Sequence, residues 1–314
     1  MSYALGVVLS RLRSFVAVAV AAAPPALLVA CSLTTDLSGF STGTEGRETG
    51  AGDGTLAADS PSDARVSNDG TTGTDVESGT PDGGSAYAAA VLADEPVLYY
   101  RLGETDTTKP AKDSSKSVRP AAFKGNIACG VPGAIANDGD TACRFDGTTT
   151  AVFVANGPTF AGAARPPYSV EAWARPTDLS GPNGHVIAAC EKEPDDGYAL
   201  FFYMSGKAQL ERETTAGRDS VDSVAVVGAA YRHVVGTFDG SMLRIYVDGF
   251  LSASASASRV IPGASGMPFS IGANTNADTN RFVGDLDEVA LYDHALTPER
   301  IKKHHDVGLG LSGN

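Results

Sequence analysis

Three carboxylates crowd into Gly284-Asp285-Leu286-Asp287-Glu288 near the end of the chain. Acids at alternate positions of a strand project from one face. A pair about 5.5 Å apart can then cleave a glycosidic bond, one as nucleophile and one as acid/base. Alternation puts Val283, Asp285, Asp287, Val289 and Leu291 on one face, and Phe282, Leu286, Glu288, Ala290 and Tyr292 on the other. Other acid groups read as solvated surface: Glu191, Glu193, Asp195 and Asp196 surround Pro194 and Gly197 in a loop, and Glu211 and Glu213 flank Arg212 on a strand. The Asn137-Asp138-Gly139-Asp140 turn lacks the spacing and terminal Glu of a calcium loop. The chain has no His-Glu-x-x-His helix, no Gly-x-Ser-x-Gly elbow and no glycine loop opening a phosphate-binding helix. Sugar rings stack on exposed aromatics, for which the candidates are Trp173, Tyr198 and Tyr203. Trp173 shares a face with Ser169, Glu171 and Arg175, a pattern that leaves open whether it stacks on a ligand or packs.

These residues need strands to position them. Asp239-Gly240 and Asp248-Gly249 each end a run of alternating apolar and polar residues, and Asp-Gly suits the positive φ of a tight hairpin, so the stretch from Arg232 reads as a β meander. Thr297 as N-cap, Pro298 at the first helical position and Glu299 at the positive end of the dipole start a closing helix, on which His304 and His305 point to different sides. His233 sits inside a strand. Besides Cys31 the chain has Cys129, Cys143 and Cys190. A Gly-rich turn between the first two folds one strand back on the next, which predicts a Cys129–Cys143 disulfide and a free Cys190.

Five segments occur in order: YYRLGE (residues 99–104), CRFDG (143–147), SVEAWARP (169–176), RHVVGTFDGSMLRIYVDG (232–249) and FVGDLDEVALYDHALTPER (282–300). Together they resemble the laminin-G-like branch of the concanavalin A-like jelly rolls, found in lectins, adhesive modules and some glycanases. The resemblance covers nearly everything after Ala86 and implies an all-β, two-sheet antiparallel sandwich with a short C-terminal helix. Enzymes of that fold carry Glu-x-Asp-x-Glu, which would need Glu at Asp285 and Val289. The set is incomplete, and the resemblance implies a non-catalytic module. It also implies a packing role for Trp173 and a calcium ion held between an N-terminal loop and the last strand, with Asp113 and Asp287 as ligands. The competing reading is that these acids only bind loop amides.

Residues 1–30 have the build of a secretory signal, with Arg11 and Arg13 as the only charges ahead of an apolar stretch broken by Pro24-Pro25. Leu28-Val29-Ala30-Cys31 resembles a bacterial lipobox, which implies a lipid on Cys31 and a place in the cell envelope, facing outside the cytoplasm. Residues 31–85 read as a disordered tether: 39 of the 54 residues after Cys31 are Gly, Thr, Ser, Asp, Pro or Asn, and they carry ten acids against two arginines. Such a coil spans roughly 40 Å. Residues 86–314 keep 20 basic and 27 acidic side chains with no basic stripe, which excludes nucleic acid as a partner. The expected function is glycan or glycoprotein binding. A structural interaction module of the envelope is the alternative, and a glycoside hydrolase a more distant one.

Overall fold

The computed structural model describes residues 85–311, apart from residues 156, 159, 161–164, 181–183, 193–195, 204, 215, 225–227, 262–267 and 275–279. The signal segment, Cys31 and the tether lie outside the described residues. A short helix, α1 (Ala86–Leu92), leads into β1 (Leu98–Tyr100), β2 (Ala122–Lys124), β3 (Ala128–Pro132), β4 (Thr141–Asp146) and β5 (Ala151–Val154). Next come β6 (Tyr168–Pro176), β7 (His185–Lys192), β8 (Asp196–Phe202), β9 (Ala208–Thr214) and β10 (Gly217–Asp222). The chain continues through β11 (Arg232–Phe238), β12 (Met242–Val247), β13 (Phe250–Ser256), β14 (Phe269–Ile271) and β15 (Val283–Tyr292) to α2 (Pro298–Gly308).

The strands form two sheets. One runs β13-β12-β11-β6-β15-β4-β3 with β1 added alongside β15, and the other runs β10-β9-β8-β7-β14-β5-β2. Every pairing of named strands is antiparallel, as the jelly-roll resemblance implies. Val170, Ala172, Leu200, Phe202, Leu210, Leu243, Ile245, Leu286 and Leu291 fill the space between the sheets. Each of the larger of these side chains contributes about 1.5–3 kcal/mol by leaving water. A second apolar layer lies on the outer face of the eight-stranded sheet. There Tyr87 and Val91 of α1 and Ile301 of α2 pack on Trp173, Val235, Ala290 and Tyr292.

The meander forms as its turns dictate. Asp248 and Gly249 both take positive φ, 51° and 78°, between β12 and β13. The Asp239 carboxylate accepts the N–H groups of Ser241 and Met242, fixing the β11–β12 turn. The Thr297 hydroxyl accepts the Arg300 N–H at the start of α2. Cys129 and Cys143 face each other across β3 and β4 and are joined by a disulfide, while Cys190 is free and buried.

Strict alternation fails in one strand. On β15, Asp287 pairs with Trp173 but Ala290 pairs with Glu171, so two residues oppose the single Ala172, and Glu288 takes φ 52°. This bulge shifts the faces by one. Leu286 therefore shares the inter-sheet core with Val289 and Leu291, whereas alternation had put it opposite them.

Candidate functional site

The outer face of the seven-stranded sheet gathers the polar and aromatic groups suited to a ligand. Tyr198, Leu200 and Phe202 on β8 and Leu210 on β9 turn into the core. Their neighbours consequently turn outward. Phe201 joins Val186, Ala189, Ala199 and the half-buried Tyr203 in a small apolar cluster, with the Phe201 and Tyr203 rings edge to face at 4.8 Å. Beside it the register brings Gln209 between Phe201 and Asp222, Glu211 between Ala199 and Ser220, and Glu213 between Gly197 and Arg218. Arg218 ties the group together. It bonds Glu213 at 2.9 Å, pairs with Glu211 at 3.1 Å and donates to the Tyr203 hydroxyl at 3.4 Å.

Two features suit this face to a polar ligand. Gln209 donates to Asp222, but its Oε1 is buried without a hydrogen-bond partner. Burial pushes the Glu211 carboxyl up to about 7 despite Arg218, with Glu213 and Asp222 adding to the rise, so it can donate or accept a proton near neutrality. An aromatic ring flanked by a guanidinium, two carboxyl groups and a carboxamide can seat a hydroxyl-rich ring, with the apolar side on Tyr203 and the hydroxyls on its neighbours. The sequence offered Tyr203 as a stacking candidate and read Glu211 and Glu213 as solvated surface, whereas Glu211 is buried. Their alternate spacing on a strand was the available signal.

The other two aromatic candidates are internal. Trp173 is 2% exposed, stacked on His305 with ring centroids 5.9 Å apart and edge-on to Tyr87, beneath the two helices. Tyr198 is 1% exposed, and its hydroxyl donates to the Pro158 carbonyl at 3.0 Å. Neither can stack on a ligand, because each faces a filled core layer.

The acids of β15 are equally enclosed. Asp285 is held by both Arg144, at 2.7 Å, and Arg175. Glu288 accepts from the Tyr99 hydroxyl and from Arg101, whose guanidinium also reaches Asp138 and Asp140 at 2.9 Å. Asp287 accepts the Ala134 N–H at 2.7 Å through Oδ2, while its Oδ1 has no partner; burial, reinforced by Asp140, pushes this carboxyl up to about 8. Asp113 accepts three backbone N–H groups, from Tyr99, Ser115 and Arg119. Asp113 and Asp287 thus serve separate sets of amides, and the cations beside the β15 acids are Arg144 and Arg175 at Asp285 and Arg101 at Glu288. Among the described residues no three His, Cys, Asp or Glu side chains form a metal-holding group, and Asp113 and Asp287 each accept backbone amides.

A further buried cluster escaped the sequence altogether. Glu171 is wholly enclosed and accepts from Tyr87 at 3.0 Å, Tyr292 at 2.7 Å, His233 at 2.8 Å and His304 at 3.0 Å. His304 turns its other nitrogen to the Ala90 carbonyl at 3.1 Å and to Asp94 at 2.8 Å. Burial alone would raise Glu171, yet the charge of His304 and the bonds from both histidines outweigh it and hold the carboxyl well below its usual range. Burial opposes the charge on His304, but Glu171 and Asp94 win and its pKa is raised. This cluster pins the two helices to the sheet.

The architecture defines a concanavalin A-like jelly-roll sandwich. A family model described as the concanavalin A-like lectin/glucanases superfamily, of the third laminin G type, matches residues 146–302, half of the chain. The protein belongs to that family. No curated protein matches it. Among solved structures it is similar to the binding domain of Paraclostridial Mosquitocidal Protein 1, at 16% identity and a TM-score of 0.55 over 68% of this chain and 52% of that one. It is also similar to domain 4 of AbnA, an extracellular arabinanase of Geobacillus stearothermophilus solved with arabinotriose, at 18% identity and 0.53 over 67% of this chain and 98% of that one. The binding domain of botulinum neurotoxin DC in complex with SialylT gives 12% identity and 0.52 over 68% and 52%. The chain spans about half the length of the toxin domains it matches, and at these identities the likeness is one of fold.

Proposed function

We propose that this protein is a non-catalytic binding module for a glycan or glycoprotein, carried outside the cytoplasm on a lipid attached to Cys31 and an acidic tether. The observation that carries the reading is the outer face of the seven-stranded sheet, where Tyr203 stands beside Arg218, Glu213, Glu211 and Gln209. Support comes from fold relatives: two toxin binding domains, and an arabinanase domain solved with arabinotriose. Binding rather than hydrolysis is favoured because the acids of β15 are sealed from solvent and the Glu211–Glu213 pair is shared by one guanidinium.

A glycan array probed with the full chain, with calcium and again with a chelator, tests the ligand. Saturable binding that survives the chelator and is lost in Tyr203→Ala and Arg218→Ala is expected. Binding indifferent to both substitutions would refute this placement, and sugar release abolished by Glu211→Gln would make the protein a hydrolase. For the anchor, Cys31→Ala should release the chain from membranes, and persistence there would sink the lipoprotein reading. A second reading, a protein-interaction module of the envelope, draws on Phe250 and Leu251, which stand 63% and 55% exposed side by side on β13. It predicts that a Phe250→Ser, Leu251→Ser variant loses a partner while array binding persists.

A further inference from the structure

Away from the sheet face, a cleft of about 590 Å³ opens between α1 and the loop of residues 112–120. That volume lies in the range of small-molecule sites. Its wall is apolar: Ala88, Ala89 and Leu92 from the helix, Val118 and Pro120 from the loop. At one end Arg101, Lys112 and Ser114 are shared with a recess of about 200 Å³ that adds Gly103, Glu104 and Asp140. The two form one elongated site with an apolar and a polar end.

The polar end shows what head group it takes. Arg101 is already matched by Asp138, Asp140 and Glu288, so it offers little to a bound anion. Glu104 accepts the Lys112 N–H at 2.8 Å through Oε1, but its Oε2 is buried with no hydrogen-bond partner. An enclosed acceptor of this kind costs free energy until a donor reaches it. The recess therefore calls for a hydroxyl or similar donor and disfavours a carboxylate or phosphate. The wall of the cleft formed by Ala88, Ala89, Leu92, Val118 and Pro120, with no aromatic ring in the lining, suits a flexible hydrocarbon chain better than the flat face of a sugar.

We infer that this cleft binds a single-chain amphiphile with an uncharged, hydroxyl-bearing head, its chain between Leu92 and Val118 and a head hydroxyl donating to Glu104. The site is separate from the Tyr203 face and does not depend on it.

Octyl glucoside, held below its micelle-forming concentration, is the probe. Titration into the purified full chain is followed by calorimetry, with octanoate and free glucose as comparisons. Octyl glucoside is expected to bind at least tenfold tighter than either. Ala89 is exposed on α1, and Ala89→Trp should fill the cleft and abolish this binding while leaving glycan-array binding unchanged; Glu104→Gln should weaken it at least tenfold. Octanoate binding as tightly as octyl glucoside in the unaltered protein would overturn the inference whatever the variants do. So would undiminished binding in a folded Ala89→Trp protein.

Discussion

Glu171 is the side chain whose loss should disturb this domain most. Replacing it with Ala removes the one acceptor shared by Tyr87, Tyr292, His233 and His304, drawn from α1, β15, β11 and α2, and leaves the raised-pKa His304 facing Asp94 alone. Removing one partner of an enclosed ion pair costs about 3–5 kcal/mol, and in a domain of this size each kcal/mol is worth about 2–4 °C. The expected loss is thus roughly 10 °C. Glu171→Gln keeps the volume and part of the bonding, and should lose about half as much. Trp173 is the only tryptophan and lies in the same layer, so its fluorescence in a urea titration reads the helix layer directly, while far-ultraviolet circular dichroism reads the sheets.

The sign of the pH dependence follows from the two shifts. Glu171 is depressed, so its contribution is present above the ordinary carboxylate pKa, about 4.3, and is lost as pH falls below it. His304 is raised, so its contribution is present below the ordinary histidine value, about 6.5, and is lost as pH climbs through its folded pKa. Stability from the cluster should peak between these limbs, and Glu171→Gln should flatten the acid limb. An Ala variant within about 1 kcal/mol of the parent at pH 6, or an unchanged acid limb in the Gln variant, would refute the reasoning.

Glu211→Gln should act in the opposite sense: a carboxyl raised to about 7 weakens the fold as pH rises from its unfolded value towards 7, so the variant should gain about 1–3 kcal/mol at pH 8 and little at pH 4 by thermal melts. Cys190 is buried and its thiol pushed up to about 12, so a chromogenic disulfide reagent should find no Cys190 thiol in the native domain and one after unfolding. Replacing Cys129 and Cys143 together by Ser opens a loop with a sequence separation of 14 and should cost about 3 kcal/mol in urea denaturation.

Local rules carried much of the fold. Asp-Gly pairs set two turns at the places their φ preferences demand, the Thr297-Pro298 start of α2 holds, and proximity through a Gly-rich turn identified the disulfide. What alternation could not reveal was anything requiring distant elements to meet. Glu171 sits in a strand pattern that leaves open which face is buried, and only tertiary packing brings four donors from four elements onto it. The β15 bulge defeated the face assignment because an extra residue leaves no mark in an alternating pattern. Trp173 and Tyr198 were plausible ligand contacts only while the layers above them were unknown, and the amides that Asp113 accepts, from Tyr99, Ser115 and Arg119, leave no mark in the sequence.

The two helices run in opposite directions. Arg300, at the start of α2, bonds Asp94 just past the end of α1, while Gly308 at the other end of α2 lies against Tyr87 near the start of α1. Whatever is attached at Ser85 and whatever extends past Leu309 therefore leave the domain side by side. Pulling these ends apart would load the helix pair and the Glu171 cluster that pins it to the sheet, and joining the ends by a few residues would allow a new start at the Asp239-Gly240 turn.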